Sequence, residues 1–199
     1  MSIYLINSSA VIDDLRSLRA GNIGVACLYA DYKDQTDQTL VHILGSFLHQ
    51  FLTTTREPIP DEIVDTLQDI QRQRAKFGAQ DILSILTIWL HQLQRAFICI
   101  DAIDELQPRV RRQLLDKLKG LSTGNTRLFL TGRGHIRSEV QQYFQVAQRH
   151  IVEIRANHQD IQEFVKQQIS EDNELGSEAM DEVLEKEIVD TIVEKSQGM

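Results

Sequence analysis

An α/β fold with a parallel sheet flanked by helices is predicted by three observations. Short apolar runs alternate along the chain with longer segments of helical period. The runs are rich in side chains suited to burial, as expected where helices cover both faces of a sheet. The composition, 42% apolar and 25% charged over 199 residues, is that of a soluble globular chain with a sizeable core. That length holds one α/β domain, or one core with a helical appendage; two full domains would be a tight fit.

The elements follow in order. Ile3-Tyr4-Leu5-Ile6 offers a strand stub, and Ala10 to Leu18 a helix with Asn7-Ser8-Ser9 as its cap. The first confident strand is Val25 to Ala30. Leu40, Ile43, Leu44, Phe47, Leu48 and Phe51 then recur at the spacing of one helix face. A weaker stripe of Ile63, Leu67 and Ile70 follows Pro58 and Pro60, and Ile82 to Leu93 is apolar almost all round, the mark of a buried helix. Phe97 to Ile100 is the next strand. Val110, Leu114, Leu115, Leu118 and Leu121 make a regular helix face that Ser122-Thr123-Gly124-Asn125 closes, before strands at Arg127 to Leu130 and Ile151 to Ile154. The composition shifts after Arg155. Asn157 is a good N-cap for a helix carrying Ile161, Phe164, Val165 and Ile169, and another helical stretch follows Gly176-Ser177. These signals divide the chain into an α/β core over residues 1–156 and the start of a helical region over 157–199.

Charge and cysteine usage exclude several functions. A net charge of −8 argues against a surface that neutralises nucleic-acid phosphates. The basic residues Arg109, Arg111, Arg112, Lys117 and Lys119 interleave with leucines at helical spacing and read as a solvated helix face. Cys27 and Cys99 each sit in an apolar run as small hydrophobes, so no disulfide and no zinc site are expected. No signal peptide and no membrane-length apolar run are found, which predicts a reducing, cytoplasmic setting without a membrane partner.

Chemistry concentrates at two strand ends. Phe97-Ile98-Cys99-Ile100-Asp101-Ala102-Ile103-Asp104-Glu105 delivers three carboxylates at the C-terminal end of a strand, where ligands bind in open α/β sheets. Asp101 is placed to hold Mg²⁺ and a following acid to orient a water; the other reading makes Asp104 or Glu105 a cap for the helix near Pro108. The neighbouring strand ends in Thr131-Gly132-Arg133-Gly134-His135. Arg133 either reaches a γ-phosphate or is a loop residue, solvated or paired with Asp101 or Asp104. His135 reads as part of a helix start. The chain contains no G-x-x-x-x-G-K-[ST], and no Lys follows a Gly.

Four motifs occur in order at suitable separations: Ile23 to Gln35, Phe97 to Glu105, Leu128 to Arg133, and Asn157-His158-Gln159-Asp160-Ile161. Together, over about Ala10 to Met199, they resemble the NACHT-type, nephrocystin-like N-terminal domain of fungal STAND proteins. The resemblance implies a P-loop NTPase-like fold, with Asp101 as the Walker B metal aspartate, Asp104 and Glu105 as the catalytic acidic pair and Arg133 as the nucleotide-sensing arginine. It implies Mg²⁺ with ATP or GTP as cofactors and a role in self/non-self recognition and programmed death. The family's Walker A lysine position falls near Tyr4. The chain is therefore expected to be a degenerate or truncated module, incomplete at its N-terminus and stopping short at its C-terminus, that binds nucleotide poorly and does not hydrolyse it alone. The alternative is an interaction module that docks on full-length relatives without nucleotide.

Overall fold

The computed structural model describes residues 4–17, 22–34, 36–54, 58–72, 77–122, 124–144, 151–152, 158–174 and 181–196. It divides into two compact units, residues 1–146 and 147–199. The first is an α/β unit in which β1 (Ile23–Tyr29), β2 (Arg95–Asp101) and β3 (Thr126–Leu130) form a parallel sheet in the order β1-β2-β3. This is the predicted α/β class, and the arrangement is consistent with a P-loop NTPase-like fold. Each strand starts within two residues of its expected position, because a continuous apolar run has few alternatives in a sheet covered on both sides.

The register sets Cys27 opposite Cys99 and Tyr29 opposite Asp101, with Ile100 opposite Leu130 on the other side of β2. One face of the sheet carries the main core. There Ala26, Ile98 and Ile100 meet buried side chains of α2 (Leu40–Thr54), α4 (Ala79–Gln92) and α5 (Pro108–Leu121). Thr39 opens α2 by accepting the His42 N–H at 3.3 Å, and Asp81 reaches back to the Gly78 N–H at 2.8 Å at the start of α4. Pro108 supplies the first residue of α5, where its missing N–H costs nothing. Of the weaker stripe on α3 (Asp61–Arg72), Ile63 is buried and Leu67 exposed.

The opposite face is thinly covered by α1 (Tyr4–Ser17), whose Ile12 packs on Val25 and Cys99. The strand stub expected at Ile3 to Ile6 is not formed: Tyr4 to Ile6 are the first turn of α1, and Asn7-Ser8-Ser9 lie inside that helix rather than capping it. Adding a turn to an existing helix avoids the nucleation cost, whereas three residues make a strand only if a neighbour waits for them.

Of the strand expected at Ile151 to Ile154, only the first two residues are described. Ile151 and Val152 belong to no strand and Val152 is largely exposed; residues 153–157, including the Asn157 cap, lie outside the described residues. At His135 the sequence marks a helix start, but neither the extent nor the face of the helix that follows. α6 (Arg137–Phe144) follows a 3₁₀ turn over Gly134–Ile136, and Ile136, Val140, Tyr143 and Phe144 join the main core from one side of it. Their spacing is the signal that would have found it.

The second unit pairs α7 (His158–Glu174) with α8 (Glu182–Ser196). Ile161, Val165 and Ile169 pack with Val189, flanked by Phe164, Ile188 and Val193. Among the described residues no helix is long and apolar enough to cross a membrane.

Candidate functional site

Asp101 is the last residue of the central strand and is only 3% exposed. Its carboxylate accepts the Thr131 hydroxyl at 2.5 Å, and its carbonyl accepts the Ala30 N–H at 3.0 Å. A buried carboxylate needs such donors, since an unpartnered one would give up its charge. Thr131 is the hub of this corner. Besides donating to Asp101, its hydroxyl accepts the Ala102 N–H at 2.9 Å and its carbonyl accepts the Ile103 N–H at 2.9 Å.

Between Asp101 and the acidic pair the backbone turns sharply. Ala102 takes a left-handed conformation at φ 52 and ψ 45, the one positive-φ residue other than glycine among those described. An alanine is strained there by roughly 1–2 kcal/mol. The turn throws Ile103–Glu105 into a 3₁₀ segment and aims Asp104 and Glu105 across to the end of β3. Asp104 accepts the Arg133 N–H at 3.2 Å, and its carboxylate lies 3.7 Å from the Arg133 guanidinium. Glu105 also lies 3.7 Å from that guanidinium and accepts the Tyr32 N–H at 3.3 Å.

Neither acid caps α5. The N-cap there is Gln107, without a side-chain cap bond. The structure therefore unites Asp104, Glu105 and Arg133 and leaves Asp101 beside them, committed to Thr131. Of the two acids that could pair with Arg133, Asp104 does and Asp101 does not, and Glu105 is its second partner. With 71% of its side chain exposed and both contacts long, the guanidinium is loosely held, and such pairs are worth about 0–1 kcal/mol.

Gly132 makes the close approach feasible. A Cβ there would come within 2.7 Å of Ile136 Cδ1 and 3.2 Å of Asp104 Oδ1. His135, exposed in the 3₁₀ turn before α6, is at a helix start as expected.

One residue of this corner was misread from the sequence. Arg111 is not part of a solvated basic face: it is buried, donating to the Asp104 carbonyl at 3.3 Å and the Leu106 carbonyl at 3.2 Å. Two further bonds, at 3.1 and 2.8 Å, go to Glu139 of α6. Arg111 thus clamps the acidic turn between α5 and α6. Helical spacing puts it among basic neighbours, and its partner Glu139 lies on α6, far along the chain.

Thr131→Val is expected to destabilise the chain by about 1–3 kcal/mol, because it orphans the Ala102 N–H and strips the buried carboxylate of its hydroxyl donor. Denaturant unfolding measures this. A cost indistinguishable from zero would mean that the hub is dispensable.

Among the described residues no group of three or more His, Cys, Asp or Glu is arranged to hold a metal ion. Mg²⁺ demands six oxygens and ordinarily draws several from water and phosphates, so Asp101 would give it one protein carboxylate and no cage. With no phosphate-binding G-x-x-x-x-G-K-[ST] in the sequence, these residues do not by themselves fit a bound nucleoside triphosphate.

A family model described as Nephrocystin 3, N-terminal, matches residues 6–133. The matched span runs from α1 through all three strands to Arg133. No curated protein and no solved structure matches the chain.

Proposed function

This chain belongs to the Nephrocystin 3 N-terminal family, and on that premise we propose that it is a NACHT-related nucleotide-binding module that keeps the metal and γ-phosphate side of the site. The observation that carries this is the convergence of Asp101, Asp104, Glu105 and Arg133 at the C-terminal ends of two adjacent parallel strands, where open α/β sheets bind their ligands. Asp101 would give Mg²⁺ one carboxylate, which Thr131 holds in orientation. Asp104 and Glu105 would be the acidic pair that orients water, and Arg133, now held by those two acids, the cation available to a γ-phosphate. The nucleotide, when bound, supplies the remaining metal ligands and the transferable phosphoryl group.

The chain alone is proposed not to hydrolyse ATP or GTP, since positioning of the phosphates by a backbone cradle and a lysine supplies most of the catalysis. The finer placement, among fungal STAND proteins of self/non-self recognition and programmed death, is supported by the order of the four sequence motifs.

A graft tests the reading. A strand, a G-x-x-x-x-G-K-[ST] loop and a helix start, joined so that the helix runs into α1, is expected to confer Mg²⁺-dependent binding of ATP or GTP in an equilibrium assay. Binding should weaken at least about ten-fold with Asp101→Asn, the loss of one charged metal ligand. A folded graft that binds neither nucleotide at millimolar concentration would sink the proposal.

A second reading is favoured by the contacts of the acidic pair: Asp104 and Glu105 already engage Arg133 and backbone N–H groups. In that reading the corner is a braced surface that docks on full-length relatives without nucleotide. Binding of the unmodified chain to such a relative, unaffected by Asp101→Asn, distinguishes it.

A further inference from the structure

Cys27 and Cys99 are direct register partners on adjacent parallel strands, and both side chains belong to the cluster under α1. Neighbouring strands lie about 4.8 Å apart, inside the window of Cα separations that a disulfide spans. The sequence separates the two thiols by 71 intervening positions, and only the register brings them together. Both are free.

Their surroundings differ in a way that assigns them different work. Cys27 is partly exposed and Cys99 fully buried. The Arg16 guanidinium of α1 donates to Cys27 Sγ at 3.1 Å, so negative charge that develops on this sulfur meets a cation. On its other side the thiol donates to Gln50 Oε1 at 3.4 Å. Cys99 has no such donor. Burial, with the neighbouring Cys27 adding to it and Arg16 opposing, pushes its thiol up to about 11.

We propose that Cys27 and Cys99 form an oxidation-sensitive dithiol, in which Cys27 is the thiol that attacks a hydroperoxide, Cys99 the thiol that resolves the product, and Arg16 the cation that assists the first step. The Cys27 thiolate attacks one peroxide oxygen; an S–O bond forms, the O–O bond breaks, and the departing hydroxide takes up a proton as water. Cys27 is now a sulfenic acid, oxidised by two electrons at the expense of the peroxide. Cys99 then loses its proton and attacks the Cys27 sulfur; the S–S bond forms, the S–O bond breaks, and a second water leaves. Two thiols and one hydrogen peroxide become a disulfide and two waters.

The disulfide would tie β1 to β2 two residues before the Tyr29–Asp101 pair, anchoring the strand end on which Asp101 stands. The dithiol chemistry itself is independent of the nucleotide reading, and its test reads sulfur rather than nucleotide.

The full folded chain is treated with hydrogen peroxide and followed by intact mass, peptide mapping and trapping with a sulfenic-acid reagent. The expected product is a monomer with one Cys27–Cys99 crosslink. Cys99→Ser should accumulate trappable sulfenic acid on Cys27, and Cys27→Ser should leave Cys99 reduced. Arg16→Gln should slow crosslinking roughly three-fold or more while leaving the thermal midpoint in place. Thiols that stay reduced in the folded wild type overturn the proposal. So does an oxidised product that only joins two chains, or an Arg16→Gln variant that reacts at the wild-type rate.

Discussion

Arg111→Ala is expected to lower stability by about 3–5 kcal/mol, a loss far larger than a basic residue on a helix surface would give. The guanidinium side chain is 11% exposed and the Glu139 carboxylate 23%, so removing one leaves the other shielded from water and without its main partner. Arg112 lies 3.8 Å from the second Glu139 oxygen but is itself mostly exposed, and it takes over little of the lost interaction. Two backbone carbonyls of the acidic turn, at Asp104 and Leu106, lose their donor in the same step. The variant should therefore loosen the Asp104–Glu105 turn as well as the α5–α6 contact. Denaturant unfolding of Arg111→Ala, Glu139→Ala and the double variant measures the coupling. The double variant should cost clearly less than the sum of the singles, because most of each single loss is the charge left behind. Additive losses would show that the pair acts as two separate surface charges.

Trp89 gives the second large effect, and with it a contrast. The indole is 1% exposed in the main core, on the buried side of α4 with Ile85, Leu86 and Leu90. Its Nε1–H is buried without a hydrogen-bond partner in the described structure. Trp89→Ala should cost about 3–5 kcal/mol, the combined loss of transfer free energy and the cavity left behind. Trp89→Phe should cost much less than that. Phenylalanine refills much of the space and removes an N–H whose burial carries a desolvation penalty of about 1–3 kcal/mol. Chemical denaturation checks both, and a Phe variant as unstable as the Ala variant would show that the indole N–H is not the liability described.

The readings that held from sequence to structure are those governed by local pattern. Val25, Phe97 and Leu128 sit in strands because continuous apolar runs suit a sheet covered on both faces. The stripe from Leu40 to Phe51 and that from Val110 to Leu121 are helices because one face of each can be buried whole. The carboxylate-bearing strand end and Arg133 were visible for the same reason: a strand followed by a turn fixes where its last residues emerge.

What was not legible depended on partners remote in sequence. Whether Tyr4 to Ile6 pair as a strand is decided by a neighbouring edge rather than by those residues themselves. Arg111 looked like its basic neighbours until Glu139 was set against it across another helix. Thr131 carried no motif beyond preceding Gly132-Arg133, yet its hydroxyl joins two strands of the site. The Cys27–Cys99 pairing is a register fact, and register is written in no single run.

Gln50 guards the outer edge of β1. Its carboxamide lies against Cys27, accepting the backbone N–H at 2.9 Å and donating to the carbonyl at 2.8 Å, so that a side chain of α2 stands where an incoming strand would have to bond. A second chain that tried to extend the sheet past β1 would first have to displace that amide from both bonds.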